Sequence, residues 1–155
     1  MIREAVLSDY KAISALALQV FSIHYAARPD LFKYRQIAME RDYFEECLLD
    51  ENKKIFVFEA DGRLHGFCQT IRLEYKNHVI FKDSVLLEID TMCVDERSRG
   101  QKIGRKLFEK AKEYATEIGA QRLELTVWEF NENARQFYEH LGLKARVRRM
   151  DYILE

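Results

Sequence analysis

The run Val94-Asp95-Glu96-Arg97-Ser98-Arg99-Gly100-Gln101-Lys102-Ile103-Gly104-Arg105 lies between two segments of different periodicity. Before it, residues 85–94 form a mostly apolar run of strand length. After it, Ile103, Leu107, Ala111, Tyr114 and Ile118 recur at spacings of 4, 4, 3 and 4, one apolar stripe on a helix. Gly119 follows where a left-handed cap commonly ends a helix. Residues 122–127 then alternate, with Leu123, Leu125 and Val127 to one side and Arg122, Glu124 and Thr126 to the other. Strand, helix and strand in that order form a crossover, so the two strands are expected to be parallel.

The turn itself invites an anion. A helix start offers unpaired amides and the positive end of the helix dipole, and Gly100 and Gly104 permit close approach to the backbone. Residues 95–112 hold seven bases (Arg97, Arg99, Lys102, Arg105, Lys106, Lys110, Lys112) against three acids (Asp95, Glu96, Glu109). A pyrophosphate is the natural guest. The spacing matches neither a Walker loop nor Gly-x-Gly-x-x-Gly. On spacing alone, an ordinary helix start with a solvated basic face explains the same residues.

Working outward, residues 2–5 read as a short strand and residues 9–24 as a helix with Ile13, Leu16, Val20 and Ile23 on one face. Ala27-Arg28-Pro29-Asp30 ends that helix. Residues 38–49 predict a second helix. Strands over 55–60 and 64–73 flank Asp61-Gly62, a strong hairpin turn. Beyond residue 127, Asn131 or Asn133 is placed to cap a helix that buries Ala134, Phe137, Tyr138 and Leu141 and stops at Gly142. A last strand is expected over 144–154. The fold class is therefore α/β, a mixed sheet with helices on both faces.

Composition narrows the function. The 155 residues suit one domain spanning 1–155. Lys plus Arg number 25 and Asp plus Glu 26, a net charge of −1 that argues against a nucleic-acid or membrane clamp. The opening residues are too charged for the apolar core of a signal peptide, and no apolar run is long enough to span a bilayer. Cys47, Cys68 and Cys93 cannot all pair and none sits at zinc spacing, which points to a reducing cytoplasm. His24, His65, His78 and His140 show no metal spacing either, so no metal is expected.

Two motifs carry a family resemblance. Val94 to Gly104, as quoted above, resembles the acyl-CoA signature [QR]-x-x-G-x-[GA] of the GNAT superfamily of N-acetyltransferases. Asn131-Glu132-Asn133-Ala134-Arg135-Gln136-Phe137-Tyr138-Glu139-His140-Leu141-Gly142-Leu143 is similar to its second signature, N-x-x-A-x-x-x-Y-x-x-x-G-[FL]. The two lie one helix and one strand apart, as in that family. Lys102 departs from the pattern, because it stands where the first glycine is usual. The resemblance runs loosely over the whole chain and is weakest over residues 24–50.

The resemblance implies a GNAT fold with a central twisted sheet, and acetyl transfer from acetyl-CoA to an amine with both substrates bound. A primary amine with a pKa near ~10 must first lose a proton. The thioester carbonyl must be polarised, and the leaving thiolate should receive a proton. Read as a regular strand, residues 85–94 put Glu88 and Asp90 on one face with Leu86, Met92 and Val94, and Val85, Leu87, Ile89, Thr91 and Cys93 on the other. Two acids on one face of a central strand are paired, solvated or functional.

By resemblance Glu88 is the general base, with Asp90 a second candidate, and Tyr138 protonates the CoA sulfur. The backbone of Met92, Cys93 and Val94 polarises the thioester and pairs with pantetheine. Asn131, with Asn133 beside it, reads a pantetheine amide. Arg99, Gly100, Gln101, Lys102, Ile103, Gly104 and Arg105 hold the pyrophosphate.

Each residue also has a plainer reading: a carboxylate paired with a neighbouring base, a tyrosine completing a core stripe, an asparagine cap. Cys93 has no histidine near it in sequence, so a covalent route through it is not expected. Trp128 and Phe130 are placed to flank the acetyl group, although packing explains them as well. Gly104→Val is expected to abolish CoA binding and leave the fold intact. The acceptor site should be walled by residues 24–32 and 75–83, and its acceptor is a small-molecule or peptide amine. The rival function is a catalytically silent acyl-CoA-binding or regulatory module on the same fold. A homodimer is among the assemblies the resemblance allows.

Overall fold

The computed structural model describes residues 1–154. In chain order the elements are β1 (Ile2–Glu4), α1 (Tyr10–Ala27), α2 (Arg41–Leu49), β2 (Lys53–Ala60), β3 (Arg63–Tyr75), β4 (Ser84–Val94), α3 (Ile103–Glu117), β5 (Arg122–Leu125) and α4 (Glu132–His140). The five strands form one sheet in the order β1-β2-β3-β4-β5. The first four are antiparallel to their neighbours, and β4 and β5 are parallel, as the crossover requires.

Helices cover both faces. Ile13, Leu16 and Ala17 of α1 and Phe44 and Cys47 of α2 pack on Ile55, Val57, Phe67 and Cys93 on one side of the sheet. Ile103, Leu107, Phe108 and Ala111 of α3 pack on Phe56, Cys68 and Ile89 on the other. α1 ends at Ala27, ahead of Pro29. Asp61 and Gly62 both take positive φ (49° and 71°), the two-residue turn that matches the twist of a hairpin. Arg3 on β1 forks onto Asp9, whose Oδ2 also accepts from the Val6 amide at 2.8 Å. That guanidinium holds the Asp9 carboxyl below the usual carboxylate range.

Three expectations need correction. First, residues 144–154 form no strand: they make no backbone hydrogen bond among the described residues. A strand exists only against a neighbour, and none within the chain reaches this segment. Second, no residue of α4 is fully buried; Ala134, Phe137, Tyr138 and Leu141 are half-buried on its inner side. α4 lies at the margin of the sheet, where only its inner side finds cover.

Third, β4 does not alternate regularly. Gln69 of β3 pairs with Thr91, but the next residue, Thr70, pairs with Ile89, so Asp90 is an extra residue in a β-bulge. The bulge exchanges the faces beyond it. Ile89, Met92 and Val94 all pack in the α3-side core, whereas Cys93 belongs to the other. Glu88 therefore does not share a face with Met92 and Val94.

Candidate active site

The parallel ladder is short. It runs from Leu86 opposite Arg122 to Ile89 opposite Leu125 and stops, while β4 continues to Val94. From Asp90 onward β4 is open on its β5 side. The bulge sits where the opening begins, and the candidate residues stand around it.

At one end is the turn that leads into α3. Asp95 caps a short 3₁₀ turn by accepting from the Arg97 amide at 3.1 Å. Gly100 has φ +80°, and Lys102, at the N-cap of α3, has φ +62°. Lysine thus holds the left-handed conformation in which glycine is at ease, a strain of roughly 1 kcal/mol. The first bonded amide of the helix is that of Lys106, which donates to the Lys102 carbonyl. The amides of residues 99–105 have no partner among the described residues. Nor do Arg97, Arg99, Lys102 and Arg105 form ion pairs there, whereas Lys110 and Lys112 pair with Glu113 and Glu109. Unpartnered amides beside unpaired cations suit a pyrophosphate.

Two contacts that the sequence does not show hold this turn. His65 on β3 has Nδ1 2.8 Å from the buried Ser98 Oγ and Nε2 3.2 Å from the Ala60 carbonyl. Its own carbonyl accepts from the Asp95 amide at 2.9 Å. His65 and Ser98 are 33 residues apart, and no local pattern links them. The second contact concerns Gly104. A Cβ there would stand 3.0 Å from the ring of Phe137 on α4 and 3.6 Å from Val94. Gly104 is thus the seat of α4. A valine would push the helix away, so the expectation that Gly104→Val spares the fold does not stand.

α4 brings the second motif to the same opening. Asn131 Oδ1 caps it by accepting from the Ala134 amide at 3.2 Å, which leaves its side-chain NH₂ without a partner among the described residues. Asn133 is exposed on the first turn. Tyr138 lies within electrostatic reach of Cys68 and Cys93, and burial raises its phenol well above the usual tyrosine value. The phenol is therefore protonated throughout the physiological range and free to donate. Burial also pushes the Cys93 thiol up to about 12, which leaves it a poor nucleophile.

On the other face of β4 stand the acids. Glu88 lies directly opposite Glu124 in the parallel ladder. Burial first, then the charges of Asp90 and Glu124, raises the Glu88 carboxyl above the usual range. Asp90, on the bulge, is exposed and accepts from the Thr91 hydroxyl. Glu124 was legible only as an outward residue of an alternating strand. Its place opposite Glu88 follows from a parallel register that periodicity does not set.

Beyond the end of β5, Trp128 and Phe130 stack at 5.6 Å and meet residues from the end of α1 and its following loop. His24 stacks on Phe32 at 5.7 Å, and Phe32 meets Trp128 edge-on at 5.3 Å. Burial lowers the pKa of His24, so it is neutral near pH 7. Residues 24–32 thus join the cluster after β5. The 75–83 connection instead forms a separate exposed cluster of Tyr75, His78 and Phe81.

The mixed sheet thus opens along its parallel pair, with unpartnered amides at one end and a protonated phenol and two carboxylates around the opening. The chain belongs to the GNAT family of acetyltransferases, whose sequence model matches residues 20–143. It is similar to an uncharacterized N-acetyltransferase of Methanocaldococcus jannaschii, 32% identical over 76% of this chain, and spans about 50% of that relative's length. A thialysine N-epsilon-acetyltransferase of Bos taurus is 30% identical over 92% of this chain and 82% of its own. The crystal structure of a tetramutant of the BH1408 protein from Bacillus halodurans superposes with a TM-score of 0.96 at 28% identity, covering 99% of both chains.

Proposed function

We propose that this chain transfers the acetyl group of acetyl-CoA to a primary amine by direct attack with both substrates bound. The observation that carries the reading is that unpartnered amides, a protonated phenol and a carboxylate of raised pKa are distributed around the point where the pairing of β4 with β5 ends.

The amides of residues 99–105, with Arg99, Lys102 and Arg105, hold the pyrophosphate. Asn131, with Asn133 beside it, donates to a pantetheine amide. The open edge of β4 over Met92, Cys93 and Val94 pairs with pantetheine and polarises the thioester carbonyl. Glu88 takes the proton of the incoming ammonium, directly or through a water, and its raised pKa makes it a better base than an ordinary carboxylate. Asp90 adds negative charge on the acceptor side. Tyr138 then donates its proton to the departing sulfur. The nitrogen loses a second proton as the amide forms; that proton returns through water to the Tyr138 phenolate, and Glu88 releases its own to solvent, so the step balances.

Glu88 and Asp90, which form no ion pair among the described residues, together with the His24–Phe32–Trp128–Phe130 cluster that follows β5, favour a cationic amine, in keeping with a relative named for acting on thialysine. Three buried free cysteines accord with a reducing compartment such as the cytoplasm. The test is a panel of amines supplied with acetyl-CoA, read by release of free thiol. Turnover with a cationic amine is expected. Acetyl-CoA binding with no thiol released from any amine would instead favour the silent acyl-CoA-binding module.

A further inference from the structure

The sheet carries a second bulge. Phe58 of β2 pairs with Gly66 of β3, but the next residue, Glu59, pairs with Leu64. His65 is thus the extra residue of β3, as Asp90 is of β4. A bulge bends its strand and re-aims the side chain it carries. Here the imidazole leaves the β2–β3 hairpin and reaches the turn between β4 and α3. Its tautomer follows from its partners. Nε2 faces the Ala60 carbonyl, which can only accept, so Nε2 carries the proton. In the neutral ring Nδ1 then accepts from the Ser98 hydroxyl. His65 is 9% exposed and Ser98 2%, so little water competes for the bond.

The amides of the turn divide at Ser98. Those of Asp95, Glu96, Arg97 and Ser98 are all taken, by the His65 carbonyl, Gln19 Oε1, Asp95 Oδ1 and the Asp95 carbonyl in that order. Those of residues 99–105 have no partner among the described residues. Residues 99–102 are exposed, and the chain meets core again only at Ile103. The exposed stretch thus hangs between two buried ends, Ser98 and Ile103. Gly100 within it has φ +80° and open space where a Cβ would stand, so it adds no stiffness of its own. We propose that His65 is a positioning residue for CoA: through Ser98 it sets where the unpartnered amides point. This role rests on the acetyl-CoA reading of those amides. An anion held by several backbone amides needs all of them aimed at one place. A stretch that shifts at its Ser98 end keeps its charge and loses that aim.

The test is calorimetry with CoA, alongside steady-state kinetics. His65→Phe keeps a ring on the bulge but can neither accept from Ser98 nor donate to Ala60. Ser98→Ala removes the other end of the same bond and decides the matter alone if His65→Phe does not fold. Each is expected to weaken CoA binding about tenfold or more, the scale of one lost buried contact, and to raise KM for acetyl-CoA to match. At saturating acetyl-CoA, kcat and the KM for the amine should stay within about twofold of wild type. The double variant should bind CoA no more weakly than the weaker single one, because both changes remove one interaction. His65→Asn, whose side-chain oxygen can still accept from Ser98, should recover most of the affinity, which a general loss of packing would not allow. Wild-type binding of CoA with unchanged affinity in Ser98→Ala, or additive losses in the double variant, would overturn the role of His65 and leave the acetyl-CoA reading standing. A wild-type chain that binds no CoA would overturn both.

Discussion

On its β3 side β4 is paired at every residue but the bulged Asp90, from Ser84 with Tyr75 to Val94 with Gly66; on its β5 side only four residues are paired. The burial follows the pairing. Ile13, Phe44, Val57 and Phe67, in the block that includes β3, are fully buried. Leu123 and Leu125 of β5 and every inward residue of α4 are half-buried. The protein keeps its most buried core on the closed side and its unpartnered donors, acids and half-buried phenol toward the open one. A strand that served both sides equally would have no free amides to offer a substrate.

The sharpest way to break this contrast is to damage each side and compare the readouts. Phe44→Ala on the closed side removes a fully buried ring packed against Tyr10. It should cost about 3–5 kcal/mol of unfolding free energy, a large share of what a domain this size has. Chemical denaturation measures it. Tyr138→Phe on the open side should do the reverse, lowering kcat by about 10²–10⁴-fold with acetyl-CoA affinity nearly unchanged. If Tyr138 only packs, the variant will lose thermal stability and keep its kcat.

Glu88→Gln refines the comparison through pH. An acid whose folded pKa is raised costs the fold stability once it ionises. That cost is absent below the unfolded pKa and fully present above the folded one. The glutamine variant should therefore melt slightly higher than wild type at neutral pH and equally at low pH. Its activity should fall about 10²-fold near neutrality and recover toward pH ~10, where the free amine becomes abundant. A wild-type pH–rate profile would assign the proton to Asp90 or to water. The smallest effect is expected at the turn. Lys102→Gly should relieve the left-handed strain and add up to about 1 kcal/mol of stability, while removing one cation from the pyrophosphate site. Calorimetry with CoA separates the two consequences.

What the sequence made legible was whatever is local. The stripe from Ile103 to Ile118, the Asp61-Gly62 turn, the Asn131 cap and the parallel sense of β4 and β5 all follow from spacing and order along the chain. What it concealed depends on contacts across the chain. The bulge at Asp90 has no glycine or proline to mark it. The His65–Ser98 brace joins residues on separate elements, and the dependence of α4 on Gly104 is visible only once Phe137 is seen against it. Residues 144–154 have strand character in sequence, but strand structure needs a second strand, and the chain alone supplies none.

The single extra residue at Asp90 also has a consequence for how this strand tolerates change. A β-strand counts in twos, and the bulge advances the count by one, so positions 91–94 keep their places only because position 90 is skipped. Substitution at Asp90 alters a side chain, whereas deletion would close the bulge and leave Thr91, opposite Gln69, directly after Ile89, opposite Thr70. Met92, Cys93 and Val94 would keep their faces, and the strand would lose the bend and added twist that a bulge supplies. What the extra residue contributes is therefore a local bend at the point where the pairing with β5 ends, whatever side chain it carries.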